Sequence, residues 1–471
     1  MQRWHLITLL VSAAGVAAAF APAFPGFAPG GGGGLPAPEA PVPPSEPAVP
    51  TAEAAPFTVT ASLDQGAVLW GEAAERTVVL TLAAPEVPGD ARRPVHLALV
   101  VDTSGSMAAR GKMDAARQAA AELVDLLGPQ DTLSLVAFDD QARVLAAPTP
   151  GTDAAALHQT VQALRPGGGT NLHDGIEAGV RLVSAAGLDG TRRVLVLSDG
   201  NATVGRTAHQ DLRSAAAAGL GADVSVSALG LGLDYNEELL GAMADAGGGA
   251  YRFVDRPGQL TSFFAEELRA AGRVVAHRTT VDLVPHPGVE LVEIYGYEST
   301  PTASGRRVFL GDLHGGETRK VVARVRIAAS SAEDSLPIAR AEVAWSGLDG
   351  AAGAPQSAEL AATVTAERAI VAKSAAPAAV REAARARGAV LVEEAARAWE
   401  RGDLAANQAK LGEANALLGR TAASLGDAGL AAEADEVAAR RAVFAAAPAA
   451  SAEGLAEVKK AKEASRDDAR R

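Results

Sequence analysis

Two patterns of apolar and polar positions divide this chain into two kinds of sheet. Residues 95–101 and 193–198 are apolar almost without interruption, the pattern of strands buried on both faces. With 132–138, 143–146, 222–229 and 250–254 they alternate with helical stretches such as 112–127 and 172–186. That alternation predicts a doubly wound, mostly parallel, Rossmann-like α/β domain. The short step from Phe138 to Arg143 marks one hairpin with an antiparallel strand. Residues 57–63 and 76–82 instead alternate with period two, as half-buried strands do. Two such strands do not make a stable sheet. Partners of the same type follow the α/β region, at 279–284, 289–297, 306–310, 320–327, 339–345 and 358–364. One β-sandwich assembled from both flanks, with the α/β domain inserted in it, is therefore expected.

The last hundred residues carry helical periodicity. Apolar positions recur at i, i+3, i+4 and i+7 through 380–401, Gly402-Asp403 supplies a stop and an N-cap, and 404–418 and 428–444 resume the period. Three helices joined by short turns predict a small antiparallel bundle, or helices docked on the sandwich. The pair around Gly402-Asp403 also resembles a unit of a helical repeat, but one unit does not build a solenoid. The densely charged stretch 459–471 is expected to fray or project.

Composition adds a location. Arg3 precedes an apolar stretch of 15 residues, 6–20, and Ala21-Pro22-Ala23 supplies a small-x-small cleavage pattern. The stretch is shorter than the ~20 residues that span a bilayer. A cleaved secretory signal over 1–23 is expected, with an uncleaved anchor as the competing reading; either places the folded body outside the cytoplasm, in the periplasm, secreted or on the cell surface. Residues 24–56, with five consecutive glycines and frequent proline, read as a disordered tether. The remaining divisions are 57–93 for the first sandwich strands, 94–272 for the α/β domain, 273–366 for the rest of the sandwich and 367–471 for the helical region. At 471 residues the chain is long enough for two or three folded units, and a net charge of −13 argues against a nucleic-acid surface. There is no cysteine, so neither disulfides nor zinc-thiolate sites contribute.

The candidate chemistry gathers at strand ends. Asp102 closes the first apolar run and opens Asp102-Thr103-Ser104-Gly105-Ser106. Gly167-Gly168-Gly169-Thr170-Asn171 places a hydroxyl just before a helix, and the strand 193–198 ends in Asp199. Three loops thus offer Asp102, Ser104, Ser106, Thr170 and Asp199 at one edge of one sheet. Open α/β sheets bind ligands outside the carboxyl ends of their strands, and Mg²⁺ prefers such oxygens. An isolated Asp-x-Ser-x-Ser segment would equally suit a capped strand-to-helix turn.

With all five in order, the chain resembles the von Willebrand factor type A (VWA) domain and its metal-ion-dependent adhesion site, over about residues 95–272. Residues 136–138, 230–232 and 246–254 also look like this family. A looser resemblance, through 308–317, is to bacterial secreted proteins in which such a domain adjoins β-structure. The first resemblance implies that Ser104, Ser106 and Thr170 touch the ion directly or nearly so, with Asp102 and Asp199 holding it directly or through water. Mg²⁺ is the expected cofactor, with Mn²⁺ or Ca²⁺ as substitutes. The implied use is non-enzymatic: metal-dependent adhesion or assembly, in which a protein partner offers an acidic side chain to the ion. A shift of the helix 257–271 on occupancy is also implied.

Two alternatives share these residues. Mg²⁺ beside a serine and two aspartates could serve a hydrolase or phosphatase, but the chain lacks a phosphate-binding Gly-Lys-Ser/Thr loop, a Gly-x-Ser-x-Gly elbow and a His-Glu-x-x-His helix. A structural scaffold in an envelope complex would use the ion only to stabilise a loop. His173 reads as an exposed or capping residue of the first helical turn, Asp139 and Asp140 as an ordinary hairpin turn near the rim, and His96 as a satisfied core residue.

Overall fold

A computed structural model describes residues 55–470 apart from 89–91, 186–188, 257, 330–333 and 449–450. The signal and most of the tether expected at the N-terminus lie outside the described residues.

The α/β domain is a six-stranded sheet flanked by helices on both faces. Its strand order is Ala142–Pro150, Thr132–Phe138, Val95–Asp102, Thr191–Ser198, Val224–Leu231 and Gly248–Val254, with only the first antiparallel to its neighbour. Every residue of Val95–Asp102 is buried, as an apolar run covered on both sides requires. Lys112–Leu126, Ala154–Gln162 and Gln259–Ala271 cover one face through Leu123, Leu157 and Phe264. Leu172–Ala185, His209–Gly221 and Glu237–Ala246 cover the other through Ile176, Leu212 and Met243. Leu172–Ala185 can approach the sheet because Gly179 presents no side chain: a Cβ there would lie 2.7 Å from Val100 Cγ2. The order reverses between Val95–Asp102 and Thr191–Ser198, so their carboxyl ends flank the crevice where open sheets bind ligands.

The sandwich is built from both flanks. One antiparallel sheet runs Thr58–Leu63, Ala74–Ala83, Thr318–Ile327, Val289–Ile294. The other runs Ser299–Pro301, Arg306–His314, Val274–Pro285, Ser335–Ser346, Gln356–Thr365, Ala67–Leu69, with the last pair parallel. The ten-residue ladder between Ala74–Ala83 and Thr318–Ile327 closes around the inserted domain. Ala67–Leu69 and Ser299–Pro301 are three residues each, too short for periodicity to announce them.

A buried polar cluster joins insert to sandwich. Arg193 donates to Glu267 at 2.8 Å and lies 3.6 Å from Asp312, which also meets His277 at 3.0 Å. Burial would raise the Asp312 carboxyl, yet His277 and Arg193 hold it well below the usual range.

The helical region corrects one expectation. Pro377–Glu400, Leu404–Leu425 and Ala428–Ala446 form a bundle, and the short helix Arg368–Lys373 precedes them. The charged tail does not fray. Ala452–Arg470 is a further helix that puts Val458 and Ala461 into the bundle core and its charges against the α/β domain. Lys459 donates to the Tyr235 carbonyl at 2.9 Å and to Glu237 at 2.7 Å, and Lys462 to Glu237 and Glu400 at 2.8 Å each. Arg252 pairs with Asp467, and Arg470 with Asp245. The acids that order this tail lie as far as 225 residues away in the chain, so local charge density could not reveal them.

Candidate functional site

Asp102 is the last residue of its strand and has no exposed surface. Its Oδ1 accepts the Ser104 backbone N–H at 2.8 Å, and its Oδ2 accepts the Ser198 hydroxyl at 2.6 Å. Burial pushes this carboxyl above the usual range, and the hydrogen bonds from Ser104 and Ser198 pull it partly back. The chain then makes a short helical turn from Gly105, breaks at Ala109 and Arg110, and enters Lys112–Leu126 after Gly111, whose φ is 70°.

The hydroxyls and the second carboxylate form a short relay. Ser104 Oγ lies 3.0 Å from Ser106 Oγ, and Ser106 Oγ donates to Asp199 Oδ1 at 2.7 Å. The glycine loop is tied to the same turn, with Gly105 N–H donating to the Gly168 carbonyl at 3.0 Å and Gly167 N–H to the Thr103 carbonyl at 2.7 Å. Gly168 makes this closure at φ +80°, a conformation that a side chain resists. Thr170 follows, nearly buried, its backbone clamped to Thr203 on both sides: N–H to Thr203 Oγ1 at 3.0 Å, and carbonyl to Thr203 N–H at 2.9 Å.

The oxygens present suit a small divalent ion. Oxygens around 2.0–2.1 Å from an octahedral Mg²⁺ stand about 2.9 Å apart along an edge. The Ser104–Ser106 and Ser106–Asp199 separations of 3.0 and 2.7 Å fall on either side of that value. Ser106 spends its proton on Asp199, which leaves its lone pairs available to a cation.

Of the neighbouring residues, His173 departs from its sequence reading and His96 keeps it. His173 is buried rather than exposed, with ring nitrogens 3.5 Å from Asp174 and 3.7 Å from Glu177. Asp139 and Asp140 do reach the glycine loop: the Asp139 carbonyl accepts Asn171 N–H at 2.6 Å, and Asp140 Oδ1 accepts Gly169 N–H at 2.9 Å. His96 is a core residue between Thr132 Oγ1 and the Asp189 carbonyl.

Two residues escaped sequence reasoning. Ser198 fixes Asp102 from the neighbouring strand, a pairing that only strand register reveals. Lys112 places Nζ 2.6 Å from Asp199 Oδ2. The signal for it was present: a lysine at the first position of a helix opposes the helix dipole and calls for an anionic partner.

Residues 97–201 match the family model described as von Willebrand factor type A domain. An uncharacterized protein of Synechocystis sp. is 26% identical over 238 residues, covering 49% of this chain and 54% of that protein. Human inter-alpha-trypsin inhibitor heavy chain H4 is 27% identical over 196 residues, 39% of this chain and 21% of its own length. The chain thus spans about half or less of these curated relatives. Among solved structures, a von Willebrand factor type A protein from Catenulispora acidiphila aligns with TM-score 0.64 at 20% identity, over 82% of this chain and 90% of that one. The ArnB paralog VWA2 from Sulfolobus acidocaldarius aligns with TM-score 0.57 at 17% identity, over 88% and 99%. At such identities these two likenesses concern the fold alone.

Proposed function

We propose that this von Willebrand factor type A domain is a non-enzymatic, divalent-metal-dependent protein-binding module that acts outside the cytoplasm. The observation that carries the reading is that oxygens of Ser104, Ser106 and Asp199 stand at octahedral-edge spacing at the switch-point crevice, with Asp102 on the same turn and the loop of Thr170 tied to it. Ser104, Ser106 and Thr170 would hold the ion through their hydroxyls, and Asp102 and Asp199 directly or through water. Bound there, Mg²⁺, or Mn²⁺ or Ca²⁺ in its place, supplies a positive centre that an acidic side chain of a partner protein completes.

The residues around this centre work by orientation. Ser198 and the Ser104 amide fix both oxygens of Asp102, and the tie between Gly105 and Gly168 keeps the first two loops in register. Specificity would then come from exposed side chains of the surrounding loops. The extracytoplasmic part rests on Arg3, the apolar stretch 6–20 and Ala21-Pro22-Ala23. Among the described residues no helix is long and apolar enough to cross a membrane, so contact with one would fall to an uncleaved N-terminal segment.

The test is thermal unfolding of the chain from Phe57 onward, in chelator and in rising Mg²⁺ or Mn²⁺, beside Asp102→Ala. Metal-dependent stabilisation of the wild type and none in the variant is expected. Identical curves for both proteins at every metal concentration would defeat the reading.

A further inference from the structure

Asp199 uses both of its oxygens inside the protein. Oδ1 accepts the Ser106 hydroxyl at 2.7 Å, and Oδ2 accepts the Lys112 ammonium at 2.6 Å. The pair is enclosed: the Asp199 side chain has no exposed surface, and that of Lys112 is 9% exposed. The place of the lysine is built into the fold. Gly111, at φ 70°, turns the chain so that Lys112 begins its helix at the site. Gly232, at φ +84°, leaves space for the stem, since a Cβ there would come 3.3 Å from Lys112 Cε. Asp234, on the loop that follows, brings a mostly exposed carboxylate to 3.7 Å from the same ammonium.

We propose that Lys112 is a positioning residue that keeps Asp199 Oδ2 off the ion and sets the charge of the loaded site so that it accepts an anion. This inference rests on the metal-binding reading above. Two carboxylates, Asp102 and Asp199, would cancel a divalent ion and leave a neutral centre with little attraction for an acidic partner. Among the enclosed groups the ammonium turns that balance to one net positive charge, which a single partner carboxylate neutralises; the mostly exposed Asp234 is screened by water. Direct ligation through Asp199 Oδ2 would have to displace a buried ammonium from its short hydrogen bond, so Asp199 reaches the ion through Oδ1, Ser106 or water. The arrangement has a cost in metal affinity, because a buried positive charge repels the cation at close range. It has a compensating effect without metal, because Lys112 offsets the repulsion between two enclosed carboxylates.

The deciding experiment uses the full chain and the metal alone. Mn²⁺ affinity is measured by calorimetry, and melting temperature in chelator, for the wild type, Lys112→Met and Lys112→Arg. Lys112→Met keeps the stem and removes the charge; it is expected to bind Mn²⁺ at least tenfold more tightly and to melt lower in chelator. Lys112→Arg is expected to match the wild type in both. Equal or weaker Mn²⁺ binding by Lys112→Met overturns the inference while leaving the metal site standing. Mn²⁺ binding to none of the three proteins overturns the metal reading and this inference together. Should Lys112→Met fail to fold without metal, the same substitution is made in Asp199→Asn, where tighter Mn²⁺ binding is again expected and unchanged affinity again overturns the inference.

Discussion

Two charge clusters built on buried lysines lie against the same α/β domain and end in different states. Where the tail helix docks, Lys459 and Lys462 meet Glu237 and Glu400, two ammonium groups against two carboxylates. At the strand ends the buried carboxylates of Asp102 and Asp199 have one buried ammonium beside them, Lys112 on Asp199, which the mostly exposed Asp234 also approaches. The docking cluster closes its charge balance within the protein and therefore works as a fastener. The strand-end cluster leaves one negative charge and a row of hydroxyls to be completed from outside. Burying charge is costly in both places, but only the second keeps an imbalance that a cation relieves.

The sharpest way to break the comparison is to open the fastener. Glu237→Gln would leave Lys459 and Lys462 enclosed with one strong partner fewer, and truncating a buried pair costs about 3 kcal/mol. Urea unfolding of this variant should show that loss, with metal-dependent stabilisation intact. A loss below about 0.5 kcal/mol would place the cluster with ordinary surface pairs.

Next in size is the open site itself. At a hundredfold excess over the dissociation constant, metal should stabilise the wild type by about 2.7 kcal/mol. In Asp102→Asn, which keeps an acceptor for Ser104 and a group for Ser198, that gain should vanish while the protein stays folded in chelator. A variant that unfolds would show Asp102 to be a structural residue.

pH separates Glu237 of the fastener from Glu463, an acid of the tail helix that lies 3.7 Å from Arg252. Glu237 is buried, yet Lys459 and Lys462 hold its carboxyl down to about 2. Its contribution is full above its ordinary value near 4.5 and is lost as pH falls from there toward 2. Glu463 is pushed up to about 7 by burial, with Asp467 and Asp255 adding repulsion and Arg252 opposing it. A raised carboxyl favours the folded state only while protonated, so its contribution disappears as pH rises from about 4.5 through 7. Relative to Glu463→Gln, the wild type should therefore lose roughly 3 kcal/mol between pH 4.5 and pH 8. Parallel urea curves for the two proteins across that range would refute it.

The smallest expected effect concerns the loop that joins the site. Gly168→Ala forces a side chain onto φ +80° and toward Asp140 Oδ2, 3.0 Å from the new Cβ. A cost of about 1–2 kcal/mol, with weaker Mn²⁺ binding, is expected; an unchanged melting temperature would mean that the loop relaxes freely.

Much of this was legible from residue order. Two continuous apolar runs, and the alternation of these and further segments with helical stretches, pointed to the five parallel strands, and period-two segments on both sides of them pointed to the sandwich. The helix at the end of the α/β domain was expected over 257–271 and spans Gln259–Ala271. The five oxygen residues each closed or followed a strand or glycine loop, so local signals located them. His173 was misjudged because burial of one helix face depends on what packs over it. The tail helix was misjudged because its charges were counted before their partners were known.

By itself, then, the sequence determined the two kinds of sheet, the inserted order and the identity of the oxygens at the strand ends, since periodicity and turn chemistry act over a few residues. Tertiary structure alone decided that Ser198 would orient Asp102, that Lys112 would close on Asp199 and that a charged tail would dock on Glu237. Each of those joins groups far apart in the chain. Their energy depends on register, enclosure and dielectric, none of which exists until the sheets have packed.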